Sequence, residues 1–442
     1  MIPSINNSQT TFTANVPNFN KTTKVLDKFL KSQENLSHTR FIQGTLTNWF
    51  PKAVLSRSVI DFSEFTFLEF IESGIFYFAA PLLGEHAFRK GLFKKIQPKK
   101  IQKTIEKHLP ESVEQIKNSK LAQSTKDKLI TTKGGILLGC ITVPALEYAL
   151  GFAKNLFTLK VFKVSDFNNV ANLKKEKTEN IEQQQRVEKH SKQVLLKTGI
   201  ISAASIGSGL ALAAFGHKFK GAGKFAEIIL EPGEQISKLL HKLGINSEKT
   251  DNFLKDYLKL DFVNNNGKLS LSKGQLAAIC TTGLFGYSQA AKDRGKLDFY
   301  EVWTRVPLVV LYTIFGSALL DGRFKNYLAK NNKFPELIKR DAKGNIATVP
   351  SRKDLPEIAK KLATKNKTTV DEELAKLIKQ KSVITGVPYL FSILVMGFTL
   401  SGISRLWTQY RYNHSVKDNV EKTENHKNFV KISPAFSGVH QS

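Results

Sequence analysis

Two uncharged runs constrain this 442-residue chain more than any other feature. "TGIISAASIGSGLALAAFG" covers 198–216, and "SVITGVPYLFSILVMGFTLSGIS" covers 382–404. Each is close to the roughly 20 apolar residues a helix needs to cross a bilayer. Three further apolar stretches carry charge. They are 65–84 with Glu69 and Glu72, 134–158 with Glu147 and Lys154, and 302–320 with Arg305. A sixth, 275–291, is uncharged but rich in small residues, a composition that also suits a soluble core helix. The reading is an all-α, multi-pass helical membrane protein with 5–6 spans, basic amphipathic helical loops and an internal two-fold repeat. Its alternative is a basic soluble helical bundle.

Charge comes next. The chain holds 66 Lys and Arg against 38 Asp and Glu, a formal balance of +28. Such a surface selects anionic partners, and here anionic lipid head groups are expected. Specific nucleic-acid binding is not, since the basic residues are dispersed and form no binding motif. In "KKIQPKKIQKTIEKHLPE" the residues Ile101, Ile105 and Leu109 form a stripe among lysines that would suit a membrane surface. Loops 85–133, 217–274 and 321–382 hold most of the Lys and Arg, so the positive-inside rule places these three on the cytoplasmic side.

Motifs of chemistry are missing from the sequence. Cys140 and Cys280 lie in apolar segments without metal spacing, and the nine histidines are scattered. No phosphate loop, His-Glu-x-x-His or Gly-x-Ser-x-Gly occurs. "FVNNNGKLSLSK" lacks the acids of a calcium loop, and Lys273 stands where a bidentate Glu is needed. The chain is therefore expected not to be an enzyme and to carry no cofactor or metal.

An internal repeat organises the rest. Arg57, Asp61, Phe62 and Glu64 are echoed by Arg294, Asp298, Phe299 and Glu301, each set leading into an apolar helix. Val143-Pro144 is answered by Val387-Pro388, and Gly151-Phe152 by Gly397-Phe398. Asp61 and Pro144 lie 83 residues apart, Asp298 and Pro388 lie 90 apart. The expected organisation is a mostly disordered 1–37, a first repeat over 38–160 and a connector over 161–271 with an apolar helix at 194–216. A second repeat follows over 272–412, then a disordered tail over 413–442. The parity of intervening spans sets the repeat type: three crossings make the halves inverted, four make them parallel.

Two residue patterns within the spans stand out. Gly199, Ala203, Gly207 and Ala211 recur every fourth residue, a smooth stripe on which a neighbouring helix can pack. Glu69, Glu72, Glu147 and Arg305 are ionisable groups in apolar helices, where a lone charge is costly. Arg305 is expected near Glu69 or Glu72, with Asp61 or Ser63 capping the first acidic helix. The expected function is a structural or lipid-interacting membrane module. The alternative is a carrier or channel with its site between the repeats. A polar cavity between 65–84 and 302–320 would separate the two.

Overall fold

The computed structural model describes residues 19–34, 41–42, 44–75, 81–174, 178–265, 267–340, 344, 346 and 349–432. It is almost wholly helical. Among the described residues, four helices are long and apolar enough to cross a membrane: Gln123–Phe162, Ile181–Lys218, Lys296–Lys330 and Val370–Val416. They contain four of the six apolar stretches. Of the stretch at 65–84, positions 76–80 lie outside the described residues, and 275–291 is helical without reaching that apolarity.

The chain divides into two compact units, one of residues 1–35 and 321–388, the other of 36–320 and 389–442. In the smaller unit, helix α1 (Lys21–Gln33) begins where Asn20 accepts a hydrogen bond from the Thr23 backbone at 2.8 Å. The helix falls wholly within the N-terminal region 1–37 that the sequence reads as mostly disordered. Leu30 packs with Leu337, Leu355, Leu377 and Ile378 in one core. Asp27 pairs with Lys31 at 2.8 Å and with Arg352. Burial alone would raise the Asp27 carboxyl, but hydrogen bonds from Arg352 and Lys31 hold it below the usual range. Asp354 precedes the helix Leu355–Asn366 but does not cap it; its carboxylate accepts from the Ser351 backbone at 2.7 Å instead. Thr369 and Glu372 cap each other's backbone at the next helix start, 3.3 and 3.2 Å.

The larger unit is built on long helices. α2 (Phe50–Val54) leads into α3 (Val59–Gly74), and α4 (Lys99–His108) into α5 (Gln123–Gly139). Then come α6 (Thr142–Phe162), α7 (Ile181–Phe215), α8 (Ala222–Leu230), α9 (Pro232–Lys242) and α10 (Glu248–Tyr257). A hairpin of β1 (Val263–Asn265) and β2 (Lys268–Ser270) turns through Gly267, whose φ of 78° suits glycine. α11 (Lys273–Arg294) and α12 (Lys296–Leu311) are separated by Gly295 alone, at φ 129°. α13 (Leu400–Ile432) continues well past Tyr412, where the sequence reads as a disordered tail.

Small residues decide how closely these helices pack. α7 lies along α5 and α6, and α11 lies along α6. At the α5–α7 crossing Gly135 and Gly209 face each other. A Cβ on Gly135 would meet the Gly209 carbonyl, and the Ala213 methyl at 2.9 Å. The stripe expected to pack, Gly199, Ala203, Gly207 and Ala211, instead stands exposed on the opposite face of α7, and Cβ atoms on Gly199 and Gly207 would meet nothing within 4 Å. The basic helix α4 also differs from its expected role. Ile105 and Leu109 are buried in the core with Phe88, Val113 and Leu129, so its apolar stripe is covered by protein rather than presented to a membrane.

Candidate functional site

The site grows from the two acidic helices, α3 and α12. Ser58 caps α3, accepting from the Asp61 backbone at 2.9 Å, so neither Asp61 nor Ser63 is the cap. Asp61 sits in the first turn, where the helix dipole favours an acid. The Arg57 guanidinium reaches Asp61 at 3.2 Å and forks onto Glu301 at 2.8 and 3.0 Å. Arg294 reaches Asp298 at 3.5 Å and Glu64 at 3.0 Å. Each arginine, lying just before an acidic helix, thus holds that helix's Asp at i+4 and the other acidic helix's Glu. Burial would weaken the Arg57 cation, but Glu301 and Asp61 raise its pKa further.

The surroundings of these pairs match as well. Thr158 donates to Glu64 at 2.5 Å, and Thr408 to Glu301 at 2.8 Å. Further cations differ between the two: Lys154 lies 3.7 Å from Glu64, whereas Arg405 lies 3.6 Å from Asp61. Both arginines stack on one buried ring, Phe167, with Arg57 at 5.4 Å and Arg294 at 5.8 Å. The turn carrying Phe167 is tied by Glu179, which accepts from Ser165, Asp166 and Asn169. Burial opposes ionisation of Glu179, yet those hydrogen bonds hold its pKa below the usual range. A Cβ on Gly151 would stand 3.0 Å from both Tyr287 and Ala290 of α11, while one on Gly397 would meet Pro51 and the Thr47 carbonyl beside α2. Pro144 lies at the start of α6, and Pro388 inside the helix Val370–Ser392.

Between α3 and α12 lie two adjoining cavities of about 80 and 60 Å³. Lys52, Glu72, Asp298 and Arg305 line the first; Glu69, Glu72, Glu147 and Cys280 line the second. Glu69 is ion-paired with Lys52 of α2. Arg305 shares the larger cavity with Glu72, and its guanidinium stands 5.7 Å over Phe65. No direct ion pair joins Arg305 to Glu69 or Glu72 among the described residues. Glu147 accepts from the Tyr287 hydroxyl at 2.6 Å. Among the described residues, its Oε2 and the Arg305 Nη1 are buried without a hydrogen-bond partner.

Sequence reasoning singled out the acids and Arg305, and paired Arg57 with Arg294, but it missed Lys52, Tyr287, Thr158, Thr408 and Phe167. A lysine is no signal among 66 basic residues, and a threonine or phenylalanine in an apolar helix reads as packing. Among the described residues, no cluster of three or more His, Cys, Asp and Glu could hold a metal ion. No family model matches this chain, and no curated protein or solved structure is similar to it.

Proposed function

We propose that the chain is a multi-pass membrane protein built as an internal two-fold repeat, and that it carries a small solute through the polar space between α3 and α12. The cavity is the observation behind this reading. Ionisable groups within apolar helices are costly, and they concentrate where a pathway needs them. A purely structural module gains nothing from leaving Glu147 and Arg305 with unpaired atoms beside a water-sized space. The volumes suit an ion or a few waters rather than a sugar or nucleotide.

The reciprocal contacts support the repeat. Arg57 to Glu301 and Arg294 to Glu64 are the same contact made in opposite directions. A two-fold axis produces that pattern, in which residue i of one half meets j of the other and j meets i. Gly151 and Gly397 repeat it, each receiving the helix that leads into the other half's acidic helix. With α11 left out of the spans, three crossings separate the starts of the halves, which makes them inverted.

A structural, lipid-interacting module is the second reading. The exposed Ile236 and Leu239 of α9 and Phe253 of α10, set among lysines, favour it. Reconstitution separates the two. Liposomes holding the protein and reporters for H⁺, Na⁺, K⁺ and Cl⁻ should dissipate one imposed gradient faster than protein-free liposomes. Equal rates for all four would overturn the carrier reading and leave the structural one.

A further inference from the structure

We infer that Glu147 is the centre of a binding site for one monovalent cation, an alkali ion or a proton, in the smaller cavity between α3, α6, α11 and α12. Glu147 lines the cavity and is 1% exposed, its Oε1 is held by the Tyr287 hydroxyl, and its Oε2 is buried with no hydrogen-bond partner among the described residues. Gly283 makes the room. A Cβ there would stand 2.9 Å from the Glu147 Oε1, so any larger residue would push the carboxylate out of place.

α3 contributes Glu69 and Glu72, and α6 contributes Glu147. Of the cations in the adjoining larger cavity, Lys52 is engaged by Glu69, and Lys154 lies 3.7 Å from Glu64. Arg305 lines the larger cavity beside Glu72, not the cavity of Glu147. The remaining titratable groups facing Glu147, Tyr287 and Cys280 of α11, are neutral in their ordinary forms. Among the described residues, no cation pairs with the Glu147 carboxylate in this buried place. A single positive charge neutralises it, whereas a divalent ion would overshoot. The hydroxyls of Ser73 and Thr313 on the same wall offer the neutral oxygens that an alkali ion or a hydrogen-bonded proton requires.

The carrier reading supplies the purpose of this site but not its existence, and the test keeps them apart. Thermal unfolding of the purified full-length protein in detergent would be followed while NaCl or KCl replaces choline chloride at constant ionic strength. It would be followed again in choline chloride while the pH falls from mildly alkaline to mildly acid. The parent midpoint should rise by about 2 °C or more in one of the two titrations, because a ligand of the folded state stabilises it. A response to alkali ion identifies that ion; a response to acid alone identifies the proton. Glu147→Gln should abolish the response, and its midpoint in choline should match that of the saturated parent. Tyr287→Phe keeps the carboxylate and should shift the titration without abolishing it, which provides a readout should Glu147→Gln fail to fold. A parent flat in both titrations, or parallel curves for parent and Glu147→Gln, would overturn the site. Liposomes without flux but with this response intact would remove only the carrier reading.

Discussion

Several charged side chains in apolar surroundings find partners in this protein. Lys52 and Glu69 show what that requires, since both are buried and neither has water to fall back on. Removing one partner of such a pair strands the other, at a cost of roughly 3–5 kcal/mol, while replacing both with apolar groups is often neutral. Lys52→Leu should therefore lower the unfolding midpoint sharply, and Lys52→Leu with Glu69→Leu should regain most of the loss. Equal destabilisation by the single and double variants would refute the pairing. Asp27 makes a different case in the smaller unit. Its pKa is held below the ordinary carboxyl value of 3.8, so the folded state releases this proton more readily than the unfolded chain. The stabilisation is complete above that value and is lost as pH falls through the lowered folded pKa. Asp27→Asn should flatten this part of the acid limb, which denaturant titration at stepped pH would reveal. The acids at 61, 64, 298 and 301 were legible because each pair of copies repeats Arg-x-x-x-Asp-x-x-Glu. Their crossed partners were not, since spacing along one helix says nothing about which helix lies beside it.

At the scale of the element, α7 shows what periodicity can and cannot decide. Small residues occupy two of its faces, Gly199, Ala203, Gly207 and Ala211 on one, and Ser205, Gly209 and Ala213 on the other. Both repeat every fourth residue, so both read as packing faces. The second set is shifted by two positions, which turns it about 200° around the helix. The choice belongs to α5, where Gly135 meets Gly209 and allows the backbones to touch. Gly135→Ala should cost about 1–3 kcal/mol by overpacking this crossing. Gly207→Ala should be neutral or slightly stabilising, since its new methyl meets nothing and alanine favours a helix by about 1 kcal/mol. Thermal midpoints of the two variants in detergent would check the order. A larger loss at Gly207 would show that a second molecule covers the exposed stripe. The amphipathic helix α4 teaches the same lesson: its stripe was legible, but whether lipid or protein covers it depends on Phe88 and Leu129, far away in sequence.

For the whole molecule, the membrane reading and the repeat reading lead to separate measurements. Four apolar helices of this length should keep the full chain in the pellet through carbonate extraction. Release into the soluble fraction would end the membrane reading. The repeat reading makes the stronger demand. The segments it treats as halves exchange contacts: α11 packs on α6, Arg57 grips Glu301, and Arg294 grips Glu64. Neither half then completes its interior alone. The turn at Gly244, between α9 and α10, is flanked by the exposed Leu243 and Ile245 and suits a break in the chain. Co-expressed fragments 1–244 and 245–442 should therefore associate in the membrane, and a tag on one should recover the other after detergent extraction. Expressed singly, each should be degraded or aggregate, because it exposes unpaired charges and the small-residue faces of its helices. Arg57→Ala and Arg294→Ala together should reduce recovery far more than either alone. Each arginine spans both halves, so one can hold the interface while the other is missing. Recovery that is unchanged by the double substitution would show that these pairs do not join the halves. Α two-fold relation between Arg57 and Arg294 would then have to rest on helix packing alone.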